Sequence, residues 1–211
     1  MKRKCPRCGS SDVAEYLWGL PAFSEQLEKD MADHKVILGG CCITGNDPSA
    51  HCNVCGKDFG KPPYLRRRRG QAPDAPRELY PDVLTGIVFS EGGYFGGHDV
   101  VEITTDESGH HSLYNHYPEM SDFETPYATD LTNAQWKKLM DALFYKLCIH
   151  EWKQSYVDPM ILDGTQWGLE LTLTNERHYN ISGSNAFPAL YKDLVRAFKP
   201  YMKKASKDVL K

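Results

Sequence analysis

Nowhere does this chain approach the ~20 consecutive apolar residues that a membrane-spanning helix needs, and its mean hydropathy of −0.53 is that of a water-facing protein. Met1-Lys2-Arg3-Lys4 is followed at once by Cys5, leaving no room for the apolar core of a secretion signal, so a cytoplasmic location with no membrane partner is expected. Several catalytic signatures are also missing. There is no HExxH, no nucleophile elbow, no phosphate-cradling GxxxxGK and no paired-carboxylate pattern. Cysteine is odd in number, seven in 211 residues. Four of the seven stand in C-x2-C pairs, which favours thiolate metal ligands in a reducing compartment over a disulfide framework.

Those pairs are the chemical centre of the sequence: Cys5-Pro-Arg-Cys8-Gly9 and Cys52-Asn-Val-Cys55-Gly56. A C-x2-C turn aims both sulfurs at one point, and the glycine behind it permits the positive φ that turns backbone N–H groups towards them. Two such turns make a tetrahedral S4 site, the closed geometry of structural zinc. Iron accepts the same donor set, as in rubredoxin-like knuckles, but the helix and the second unit that follow favour zinc. Cys41 and Cys42 are further thiols, able either to replace a knuckle cysteine or to stand beside the metal as a nucleophile if a neighbour lowers the pKa; the simpler expectation is a small residue after a glycine turn. Cys148 falls in a helical pattern and is expected in the core.

Residues 1–60 read as one small metal-held unit, because a piece of this size cannot bury enough apolar surface alone. Ser11 to Leu17 suggests a strand; Phe23, Leu27 and Met31 fall on one stripe of a short helix that Asp33 and His34 end; Val36-Ile37-Leu38 suggests a second strand. Residues 61–79, with Pro62, Pro63, Pro73 and Pro76 around Arg66-Arg67-Arg68-Arg69, read as a linker. Residues 80–211 read as a ββαββα unit. Its strands are Leu84 to Phe89, Val100 to Thr104, the alternating Trp167, Leu169, Leu171, Leu173, and His178 to Ile181. A capping box, Thr132 with Gln135, opens a helix through Trp136, Leu139, Leu143 and Leu147 to about Gln154. Pro188 suits the first turn of a last helix with Leu190, Leu194 and Phe198 on one side and Pro200 at its end. The fold class expected is α+β: a zinc ribbon followed by an antiparallel sheet with two helices on one face.

CPRCGS at the start, the Leu20-Pro21 before an acidic helix, VILGGC and DPSAHCNVCG together resemble small bacterial zinc-ribbon proteins of uncharacterised function. The resemblance covers less than a third of the chain and implies a zinc-bound fold without an activity. The segments Asp163-Gly-Thr-Gln-Trp167 and Gly183-Ser-Asn-Ala-Phe-Pro188 are similar to stretches of other bacterial proteins and imply no function.

Three classes of function follow. A net charge of −3 conceals 13 Lys/Arg against 10 Asp/Glu in residues 1–78 and 12 against 18 in the remainder. The arginine run Arg66, Arg67, Arg68 and Arg69 beside Tyr64 suits phosphate contacts with a base stacked on the ring, although a solvated linker explains it as well. His110, His111 and His116 in a polar loop, with His98 and Asp99 across the preceding strand and Asp106, Glu107 and Glu102 nearby, carry the residue types for metal-assisted or acid–base chemistry. Gln166, Ser184 and Asn185 near Trp167 suit a small polar site or, more simply, turn chemistry. With none of these decisive, the leading expectation is a metal-stabilised binding or adaptor protein with a protein partner; nucleic-acid binding and metal- or thiol-dependent catalysis are the alternatives.

Overall fold

In a computed structural model, residues 3–65, 70, 72, 76–93, 97–118, 126–161, 163–174 and 176–202 are described. The N-terminal part forms a four-stranded sheet in the order β2-β1-β3-β4. Strand β1 (Val13–Trp18) leads into helix α1 (Glu25–Ala32) and returns as β2 (Val36–Gly40), parallel to β1. Ser24 caps α1 by accepting from the N–H of Leu27 at 3.2 Å, and Asp33 ends it. Strands β3 (Ala50–Cys52) and β4 (Asp58–Phe59) complete the sheet antiparallel to β1 and to each other. The expected strand–helix–strand order is present, but the parallel crossover makes this more than a pair of knuckles on a ribbon.

The stretch read as a linker is partly built into the fold. Tyr64 bridges Leu79, and buried Leu65 joins the larger core. The one-turn helix α2 (Tyr80–Val83) then delivers a seven-stranded sheet, in the order β8-β7-β6-β5-β10-β11-β9. Its strands are β5 (Leu84–Gly93), β6 (Gly97–Asp106), β7 (Gly109–Tyr117), β8 (Tyr127–Leu131), β9 (Ser155–Val157), β10 (Thr165–Leu173) and β11 (His178–Ser184). Neighbours are antiparallel except β9, which runs parallel to β11. The ββαββα expectation is therefore corrected: β7, β8 and β9 were not foreseen, and the polar loop assigned to the histidines is strand β7.

Helix α3 (Asn133–Met140) begins at the capping box, with Thr132 accepting from the N–H of Gln135 at 3.3 Å and donating its own N–H to Gln135 Oε1 at 2.8 Å. The helix widens to π geometry over Asp141–Lys146 and stops at Cys148, which is left-handed at φ 52°. It does not run on to Gln154. The indole of Trp152 donates to the freed carbonyl of Leu147 at 2.9 Å, and a 3-10 turn at Ile149–Glu151 follows. Helix α4 (Tyr191–Phe198) starts three residues after Pro188, and a 3-10 turn through Pro200 closes it.

Both helices cover one face of the large sheet. Leu139, Leu143, Phe144, Leu194 and Phe198 pack on Ile87, Phe89, Val101, Ile103, Leu169, Leu171 and Ile181, all buried. The rings of Phe89 and Phe198 stack at 4.7 Å between centroids, a geometry that adds about 0.5–1.5 kcal/mol beyond area burial. The period-two pattern of β10 appears as expected, with Trp167, Leu169, Leu171 and Leu173 all inward.

The two sheets are fastened together at several points. Lys4 Nζ meets Asp193 Oδ2 at 2.8 Å, and Arg196 also pairs with Asp193. Glu151 Oε1 accepts the backbone N–H groups of Gly60 (2.8 Å) and Lys61 (3.0 Å), and His150 Nε2 lies 3.0 Å from the Lys61 carbonyl.

Candidate metal centre

The two knuckles close alike. In the first, the N–H of Gly9 donates to the Cys5 carbonyl at 2.8 Å and the N–H of Arg7 points at Cys5 Sγ at 3.4 Å. In the second, the N–H of Gly56 donates to the Cys52 carbonyl at 2.9 Å. Gly9 and Gly56 take φ of 76° and 66°, the positive values expected of the residue behind each knuckle. Strand β3, held against β1 by the pairing of Cys52 with Val13, carries the second knuckle to the first.

The four sulfurs of Cys5, Cys8, Cys52 and Cys55 all lie within 4.8 Å of one another. Cys5 Sγ is 3.6 Å from Cys55 Sγ and Cys8 Sγ is 3.5 Å from Cys52 Sγ. A disulfide needs about 2.05 Å, so these are free thiols. A tetrahedral centre with metal–sulfur bonds of about 2.3 Å has sulfur–sulfur edges of about 3.8 Å, close to the spacing found. The site can hold one metal ion. Cys5 and Cys52 are buried and Cys8 is exposed, so the cluster opens to solvent on one side.

Burial pushes the Cys5 thiol up to about 12. At Cys52 burial acts the same way, but the N–H groups of Cys55 and Val54 and the thiols of Cys8 and Cys55 outweigh it and bring the group down to about 7. A thiolate at Cys52 is the natural first ligand, and a bound cation would then favour ionisation of the others.

Beneath the cluster sits a residue from the larger unit. Cys148 is fully buried and packs with Cys5, Ala50, Cys52 and Phe59. Desolvation, and next the charge of Glu151, push its thiol up to about 12, which makes it an inert filler rather than a nucleophile. Cys148 is thus in the core, as expected, but in the satellite core under the knuckles and just past the helix. Cys41 and Cys42 are exposed at the end of β2 and take no part in the four-sulfur cluster.

The histidines are divided between two faces of the large sheet. His110 and His116 lie on the helix-covered face, His98 and His111 on the other, as the pairings Asp99 with His116 and His98 with Tyr117 require. His110 stacks on Trp136 at 4.6 Å. His116 Nδ1 is 2.7 Å from Asp99 Oδ1, which also accepts from the Tyr114 hydroxyl at 2.6 Å. At the β6–β7 turn, Ser108 Oγ lies 2.8 Å from His111 Nε2, and His111 Nδ1 lies 2.7 Å from Asp130. This has the order of a serine triad, but Asp130 is 83 % exposed, and Ser108 Oγ donates to Asp106 at 2.5 Å. It is a solvent-facing turn network without the water-excluded oxyanion site that acyl transfer needs. The Asp130 carboxylate first, and Asp106 with it, raises the His111 pKa.

Arg66, Arg67, Arg68 and Arg69 lie outside the described residues. Tyr64 is described, and the Arg77 guanidinium already stands 5.2 Å from its ring centre. Gln166 and Ser184 pair at 2.9 Å on the face opposite Trp167, so they do not form a polar site beside that ring. Asn185 instead serves the turn, left-handed at φ 55° and donating to the Ile161 carbonyl at 3.1 Å.

One constellation has no local signature in the sequence. Cross-strand register places Trp167, Glu91, Asp99 and His116 in a single row on the helix-covered face. Tyr191 of α4 stands over it, its ring 5.0 Å from Trp167. Only the inward parity of Phe89 and Val101, carried two residues outward, pointed to this row. No family model matches the chain, and a search of curated proteins returns no match.

Proposed function

We propose that this chain is a zinc-stabilised cytoplasmic binding protein, an adaptor whose partner is another protein. The observation that carries the reading is a set of exposed apolar side chains in the loops next to the small sheet. Leu20 is 92 % exposed, Phe23 65 % and Ile43 65 %, and helix α1 buries none of its residues. Beside them β2 is an edge strand with Val36, Ile37 and Leu38 along it, and among the described residues its outer side is unpaired. Apolar side chains beside an open strand edge are what a protein partner covers. Zinc is favoured because a closed four-cysteine site with no open position suits a structural ion, and free thiols suit a reducing compartment. The kinship with bacterial zinc-ribbon proteins is part of the same proposal. The division of the histidines between two faces of the sheet lends less support to catalysis.

The test is affinity capture with the wild type and with a Leu20→Ser/Phe23→Ser variant, followed by calorimetric titration of each purified candidate. A partner that binds the wild type at micromolar Kd or tighter and the variant at least tenfold more weakly supports the proposal. If every purified candidate binds both forms alike, or none binds, the adaptor reading is wrong.

A further inference from the structure

Beside the first turn of α4 lies a groove of about 690 Å³, lined by Glu91, Thr165, Phe187, Tyr191, Lys192 and Val195 among others. Its walls are mostly apolar, and Phe187, 44 % exposed, forms the rim with its ring 4.6 Å from that of Tyr191. Glu91 is the carboxylate in this cavity, and among the described residues no Lys or Arg pairs with it. The next residue in its row, Asp99, is already occupied by His116 and Tyr114.

A second observation marks the same place. Tyr191 is 8 % exposed, and its buried hydroxyl makes no hydrogen bond of normal length, leaning only loosely towards Glu91. A buried hydroxyl so poorly bonded costs stability unless something completes it. Burial first, then the Glu91 charge and a hydrogen-bond interaction with that carboxylate, raise the pKa of this phenol, so the hydroxyl and the carboxylate face one another. A carboxylate, a buried hydroxyl held only loosely towards it and aromatic walls together describe a receptor for a cation on an apolar stem.

We infer that this groove takes the lysine side chain of a partner protein, with the ammonium between Glu91 and the Tyr191 hydroxyl and the methylene stem along Phe187 and Val195. One carboxylate and one hydroxyl match the point charge of an ammonium better than the planar fork of a guanidinium. The inference deepens the protein-binding reading and rests on it, but it uses a different face from Leu20 and Phe23. Lys192, exposed at the mouth, adds a like charge that a bound lysine must tolerate.

The experiment titrates the full-length metal-loaded protein with Nα-acetyl-lysine-N-methylamide and follows the Trp167 indole N–H by NMR. That proton is bonded to the Ala186 carbonyl at 2.9 Å, in contact with the groove through Tyr191. The expected result is saturable binding in the low-millimolar range. Glu91→Gln should weaken it about tenfold or more, Lys192→Ala should tighten it severalfold, and the norleucine analogue should bind at least tenfold more weakly. The spectrum of each variant shows whether the fold is kept. Equal binding of the norleucine analogue, an unchanged Glu91→Gln, loss of binding in Lys192→Ala, no binding at all, or binding of n-butylammonium without the blocked lysine would each overturn the inference. None of these outcomes touches the Leu20/Phe23 test, so the two proposals fail separately.

Discussion

Replacing Glu151 by alanine removes a strut between the two sheets. One carboxylate oxygen accepts the N–H groups of both Gly60 and Lys61, at 2.8 and 3.0 Å, and the side chain is only 12 % exposed. Hydrogen bonds to a charged group contribute about 1.5–3 kcal/mol each. Lys57, 3.9 Å away and 39 % exposed, adds little because solvent screens it. Water reaches part of the vacated space and recovers some of the loss, so the expected destabilisation is about 2–4 kcal/mol. At a urea m-value of about 2 kcal/mol/M this lowers the unfolding midpoint by about 1–2 M. Glu151→Gln keeps an oxygen acceptor in place and should recover more than half of the difference. The assay is urea unfolding followed by far-UV circular dichroism, with saturating zinc in every sample. A midpoint for Glu151→Ala within about 0.2 M of wild type, on the same m-value, would show that the strut carries no weight. Because Gly60 closes β4 behind the second knuckle, the alanine variant should also release its metal to a chelator faster than wild type.

Three further outcomes are expected. Cys52→Ser, which removes a fully buried member of the four-sulfur cluster, should lower bound zinc by elemental analysis and loosen the small sheet, seen as lost amide protection in β1 and β3; full zinc retention would refute a four-cysteine site. His111 should titrate above the ordinary value of about 6.5, since Asp130 raises it; its contribution to holding β7 against β8 is then complete below the unfolded value and is lost as pH rises through the folded one. NMR titration of its ring checks this, and Asp130→Asn should return the midpoint towards 6.5. Gly183→Ala places a Cβ against both the Trp167 indole nitrogen and the Ala186 backbone carbonyl; ring and backbone must both give way, and a loss of about 1–3 kcal/mol is expected from overpacking, with a changed Trp167 N–H resonance as the local sign.

Much of this architecture could be read from short-range pattern. The C-x2-C-G knuckles, the Thr132–Gln135 box and the alternation from Trp167 to Leu173 each state their geometry within a few residues. Strand β7 escaped because its inward positions after His110 are Ser112 and Tyr114, flanked by histidines whose polarity resembles that of a loop. Once paired between β6 and β8, that strand needs no apolar alternation of its own, since its neighbours supply the ladder. The end of α3 was misplaced because apolar spacing continues past Lys146 while the backbone reverses at Cys148. The Glu91 groove is further from the sequence still. Its residues come from β5, β10, the loop before α4 and α4 itself, and they meet only through the register of pairings far apart in the chain.

The place of Cys148 has a consequence during synthesis. Its side chain forms part of the dry wall behind Cys5 and Cys52, yet it follows the last knuckle cysteine by roughly ninety residues. At a ribosomal rate of about 5–20 residues per second, the four sulfurs are all made some 5–20 s before the wall behind them exists. During that interval a nascent chain can gather a metal ion by its sulfurs while the rear of the site is still wet. An ion bound in that interval would still be open to water from behind, and the arrival of the helix end bearing Cys148 is the step that closes the rear of the four-sulfur cluster.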